Sequence, residues 1–160
     1  MTFNGSALAG RIRTELDELK RVISRTEYLL TKAKQNSDED YLDGVALNLH
    51  GFYAGIERIF EEIAREVDRS LPSGPDWHRN LLNQMSAEVA NSRPPVIRRQ
   101  TRGCLDEYRG FRHIVRNVYT FNLRPSRLEE LVNGLSVCQS LLSADVAAFC
   151  EFLDALAADE

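Results

Sequence analysis

The stretch "LAGRIRTELDELKRVISRTEYLL", residues 8–30, carries apolar side chains at Leu8, Ile12, Leu16, Leu19, Ile23 and Leu30. Steps of three, four and seven residues gather these positions on one side of a helix that turns about 100° per residue, whereas a strand would scatter them over both faces. Charged residues fill the positions between. The spacing predicts a first long helix from about Ser6 to about Gln35, with one buried stripe and one charged face.

The same period continues outward from this stretch. "QNSDEDY" interrupts it and offers Ser37 or Asp38 as an N-cap, after which Leu42, Val45, Leu49, Phe52, Ile56, Ile59, Ile63 and Val67 mark a second long helix. Gly44, Gly51 and Gly55 lie inside it at a cost of about 1 kcal/mol each relative to alanine, which points to close approach of another helix. "LPSGPDWH" stops that helix, and Asp76 can cap a shorter third one through Trp77, Leu81, Met85 and Val89. In "NSRPPVI" the two prolines force extended backbone. A fourth helix then runs through Cys104, Tyr108, Phe111, Val115 and Val118, and Ser126 can cap a fifth whose stripe runs from Leu128 to Leu153, with "AADE" fraying at its end.

No run alternates apolar and polar residues with β-branched enrichment. The expected fold class is therefore all-α, an antiparallel up-and-down bundle of four long helices plus one short helix. A single domain over 1–160 is expected, because a chain of this length buries about 70% of its unfolded surface.

A net charge of −4 excludes binding to nucleic acid through total charge and requires any such binding to be local. No basic segment followed by an apolar one opens the chain, and no apolar run is long enough for a bilayer, so the protein is expected to be soluble and cytoplasmic. Cys104, Cys138 and Cys150 are odd in number, lack metal-ligand spacing and fall in apolar helical patterns. They read as small buried thiols. "SDEDYLD" lacks the spacing of a calcium loop, and neither metal nor cofactor is expected.

The chemistry concentrates in "FRHIVRNVY", Phe111–Tyr119. On a helix Arg112, Arg116 and Tyr119 share one flank, while Arg109, His113 and Asn117 share an outer face. Phe111, Val115 and Val118, with Tyr108, take the core side. Arginine presents a planar fork of donors to phosphate oxygens, and histidine moves protons near neutral pH. Together they suit metal-free RNA cleavage, in which a 2′-hydroxyl loses its proton as it attacks the adjacent phosphate. A solvated basic face paired with neighbouring carboxylates accounts for the same pattern, and composition does not decide between them. Arg93, Arg98, Arg99 and Arg102, around the two prolines, read either as RNA-backbone contacts or as salt-bridge partners. His50 reads as a core or interface residue, and His78, after Trp77, as part of a capped first turn anchored by a buried tryptophan.

"RHIVRNVY" resembles the motif of the HEPN superfamily: an arginine, a polar residue, a few positions, then a histidine, followed in the HepT-like branch by x-Tyr. Arg112 matches the arginine, His113 the polar residue and Tyr119 the tyrosine, whereas Asn117 stands where the family has histidine. The segments "GFRHIVRNVYTFNL", "GPDWHRNLLNQM" and "RPPVI" are similar to HepT-like proteins. The resemblance implies a ribonuclease toxin, acting as a homodimer on an RNA such as tRNA or mRNA. It also implies an antitoxin partner, a minimal nucleotidyltransferase that transfers AMP to Tyr119. Arg112, His113 and Asn117 would be catalytic positions, with Arg102, Arg109 and Arg116 binding substrate. An amide cannot serve as general base, so either His113 takes the proton-transfer role or cleavage has been lost and binding retained.

Overall fold

The computed structural model describes residues 3–119 and 122–159. Thr120 and Phe121, inside the motif segment, and Glu160, in the stretch expected to fray, lie outside the described residues. The chain is an all-α bundle of four long helices, α1 (Gly5–Asn36), α2 (Asp40–Ile63), α4 (Arg99–Asn117) and α5 (Pro125–Ala158), with one short helix, α3 (Trp77–Met85). No described helix is long and apolar enough to cross a membrane.

Cross-helix pairs fix the directions. Arg11 bonds Glu66, Arg58 bonds Glu15, and Gly44 lies against Leu29, so α2 runs antiparallel to α1. Lys34 pairs with Glu129 and Arg13 with Asp154, which sets α5 antiparallel to α1. Thr101 with Asp145, and Tyr108 with Leu131, do the same for α4 and α5. Leu8, Ile12, Leu19, Leu49, Ile56 and Ile63 are buried between the helices with Phe52, Tyr53 and Phe60. Burial of each such side chain stabilises the fold by about 1.5–3 kcal/mol.

Two of the three α2 glycines meet the expected neighbour. A methyl group at Gly55 would come within 2.6 Å of Leu19 and one at Gly44 within 3.0 Å of Leu29, so α1 crosses where α2 has no side chain. Gly51 has open space around it. The caps differ in detail from expectation. Asn4 Oδ1 accepts from the Ala7 N–H (3.0 Å) to start α1, and Asp38 accepts from the Asp40 N–H (2.9 Å) ahead of α2. Asp76 precedes α3 without a side-chain cap bond, and α5 begins at Pro125, whose fixed φ suits a first helical position, rather than after Ser126.

Several expectations are corrected. The α-helical part of α2 stops at Ile63 and a π-helical turn, Ala64–Asp68, carries the chain past Val67. Val89 is not helical but forms an antiparallel bridge with Arg93. The fourth helix starts earlier, at Arg99, and ends at Asn117, so Val118 is extended and 40% exposed instead of buried, and Tyr119 is not on the helix. The end of α5 stays helical to Ala158. Cys104 and Cys138 are not free thiols. The α4–α5 packing brings their Cα atoms to 5.9 Å and they form a disulfide, a partnership that 34 residues of intervening chain conceal in the sequence. Only Cys150, among the described cysteines, is a free buried thiol, and burial raises its pKa.

Two of the basic residues around the prolines, Arg93 and Arg98, pair with carboxylates. Arg93 is buried, and its guanidinium bonds both oxygens of Asp68 (2.5 and 2.7 Å) and the carbonyls of Gln84, Ala87 and Pro94. For Arg93 this decides between the two readings in favour of the salt-bridge partner, and its fork also satisfies the carbonyls that α3 and the proline segment leave open. Arg98 pairs with Asp145 (2.6 Å).

Candidate functional site

Three elements converge at one end of α4. The helix is held against α2 by the edge-on contact of Tyr108 with Phe52, ring centroids 5.3 Å apart, and against α5 by the Tyr108 hydroxyl, which donates to the Leu131 carbonyl (2.6 Å). At its start, Asp145 accepts from the Arg98 N–H (3.0 Å) and the Thr101 hydroxyl (2.5 Å), placing a carboxylate at the positive end of the helix. Arg93 fixes the segment between α3 and α4, so the first turn of α3 lies over the α2–α4 seam.

A charged cluster sits in that seam. Glu57, on the apolar stripe of α2, is 3% exposed. Its Oε2 lies 2.6 Å from His78 Nδ1, and its Oε1 lies 3.2 Å from Arg112 Nη1. Arg112 Nη1 is also 3.1 Å from His78 Nδ1. A buried carboxylate requires compensation, and here one cation and one imidazole provide it. The indole of Trp77 lies on the His78 ring, centroids 3.7 Å apart. Beneath the cluster, burial first and Glu57 second push the Tyr53 phenol far above its ordinary pKa.

The cluster opens onto a cavity of about 430 Å³ lined by four arginines, Arg79, Arg109, Arg112 and Arg116, together with His78 and His113. Among the described residues Asp76 is its one acidic lining residue, beside Pro75 and Gly110. His50 has its pKa lowered by burial and, secondarily, by Arg112 and Arg116. All three histidines of the chain therefore gather about Arg112 and Arg116. Among the described residues no cluster of three or more His, Cys, Asp or Glu is placed to hold a metal.

A family model described as HepT-like protein matches residues 44–153, more than half of the chain. The chain belongs to the HepT-like family. No match is found among curated proteins or among solved structures. The HepT-like span contains every described residue that lines the cavity and leaves out α1.

In this HepT-like protein the motif residues separate. Arg109, Arg112, His113 and Arg116 line the cavity, Arg109 also pairing with Asp106 (2.7 Å). Arg102 does not line it, and its Nη1 lies 3.4 Å from Ser86 Oγ. Asn117 turns its amide back to donate to the His113 carbonyl (2.7 Å), outside the cavity. Tyr119 stands beyond the end of α4, 72% exposed. His78, expected to be a structural anchor, does bind the buried Glu57, and it also lines the cavity and meets Arg112. The signal for it was Glu57 itself, a carboxylate in the apolar run "GIERIF" that no local partner neutralises.

Proposed function

We propose that this HepT-like chain is a toxin-like, metal-independent endoribonuclease that works as a homodimer in the cytoplasm. In this reading a minimal nucleotidyltransferase antitoxin holds it in check by transferring AMP to Tyr119. The observation that carries the reading is the cavity with four arginines on a chain of net charge −4. A chain with acidic excess concentrates guanidinium forks at one place when that place receives anionic oxygens. RNA cleavage by the adjacent 2′-hydroxyl generates a phosphorane with extra negative charge, which such donors stabilise more than the ground state. Tyr119 is exposed beside this end of α4, and an AMP there would add charge and bulk that compete with RNA.

A second reading, a degenerate HEPN domain that binds RNA, nucleotide or partner, is favoured by Asn117, whose amide is engaged with its own helix. Expression of the chain alone separates the two. The nuclease reading expects growth arrest and fragmented RNA, a loss of about 10²–10³-fold in cleavage for Arg112→Ala, and cleavage that persists in EDTA. Tyr119→Phe stays toxic and gains no AMP mass when the partner and ATP are present. Healthy cells with intact RNA, from a protein that still retains RNA on a column, sink the nuclease reading in favour of the second.

A further inference from the structure

We infer that His78, oriented by Glu57, takes the proton from the attacking 2′-hydroxyl, the task that the Asn117 amide cannot perform. The inference rests on the ribonuclease reading and assigns its missing base. His78 reaches the cavity from α3, 34 residues before Arg112. Its Nδ1 is 2.6 Å from a carboxylate that is itself 3% exposed, a contact that favours the proton on Nδ1 and leaves the lone pair on Nε2. Trp77 restricts rotation of the ring from one face. The same carboxylate holds Arg112, whose Nη1 lies 3.4 Å from His78 Nε2, so base and phosphate donor are held side by side where a 2′-hydroxyl and its neighbouring phosphate can be addressed together.

The competing imidazoles lack this arrangement. His113 lines the cavity, but no hydrogen bond to its ring orients it among the described residues, and His50 is not part of the lining. In the step, His78 Nε2 accepts the 2′-hydroxyl proton while the 2′-oxygen bonds phosphorus and the bond from phosphorus to the 5′-oxygen breaks. The departing 5′-oxygen takes a proton from water, and the hydroxide so formed neutralises the imidazolium. The products are a 2′,3′-cyclic phosphate and a 5′-hydroxyl, and a 2′-deoxy linkage is inert.

The test uses purified full-length protein and an RNA oligonucleotide, with folding of each variant checked by circular dichroism. His78→Ala is expected to lose about 10²–10⁴-fold in kcat and to regain part of it when free imidazole is added. His78→Gln, which keeps a hydrogen bond to Glu57, loses as much without rescue. Glu57→Gln is expected to lower kcat about tenfold with little change in KM, and to lower it by much less in the His78→Ala background, where only its hold on Arg112 remains. If wild type cleaves and His78→Gln cleaves equally well, this inference fails and the ribonuclease reading stands. A loss in His78→Ala that imidazole does not restore assigns the ring a structural role and also overturns the inference. Intact RNA with wild type overturns both readings.

Discussion

Arg93 shows how far a single side chain can organise a site it does not touch. Its five donors meet Asp68 and three carbonyls in a buried setting, so removal strands a carboxylate and the open ends of two backbone segments. Arg93→Ala is expected to lower unfolding stability by about 3–5 kcal/mol, measured in urea, which for a chain of this size is a large share of the total. Arg93→Lys recovers little, because a point charge cannot replace the fork. At His50 the direction of the pH effect follows from the lowered pKa. Below about pH 6.5 the unfolded chain takes up a proton that the folded chain resists, so stability falls as pH falls through that range. His50→Gln is expected to flatten this slope in thermal melts between pH 7 and pH 5. The roles of Arg93 and His78 were both hidden in the sequence, since each depends on a carboxylate 21 to 25 residues earlier, Glu57 or Asp68, that no local spacing announces.

At the scale of elements, α4 is built to deliver its last two turns to the cavity. Its start is fixed by Asp145, which answers the Arg98 N–H and the buried Thr101 hydroxyl from α5. Asp145→Ala removes a cap and leaves Thr101 without its acceptor. A loss of about 1–3 kcal/mol is expected in chemical denaturation, together with faster hydrogen exchange in the first turn of α4. The helices themselves were legible because their stripes are long and regular. The three-or-four spacing of α1 and α5 marked both before any contact was known, and the glycines at 44 and 55 correctly announced a close neighbour. Ends were less legible. Val118 continues the apolar period of α4 while standing outside it, because periodicity records which face a residue would take and not whether the helix has stopped. The arginine flank was legible as a cluster, but the roles within it were not, since Asn117 follows the motif spacing and yet turns away.

For the molecule as a whole, the Cys104–Cys138 bond joins the helix that carries the site to the helix that closes the bundle. A cross-link over 34 residues removes unfolded-chain entropy worth about 4 kcal/mol. Dithiothreitol is therefore expected to lower the denaturation midpoint while Cys104→Ser with Cys138→Ser becomes insensitive to it. In a reducing cytoplasm the two thiols would be separate, so cleavage assays belong with reductant present. The compositional balance of the chain, acidic over its surface and basic at one cavity, also bears on assembly. A partner that covers the cavity would have to supply anionic groups there, although the chain as a whole carries net charge −4.

The stacking of Trp77 on His78 has one more consequence. The chain holds a single tryptophan, and it lies against the imidazole at the centre of the proposed chemistry. The emission of an indole depends on what lies against its ring, so the native ultraviolet fluorescence of the unlabelled protein reports whether the two rings stay together when a variant or a ligand disturbs the cluster. The protein thus brings its own reporter dye, already seated where a chemist would have chosen to attach one.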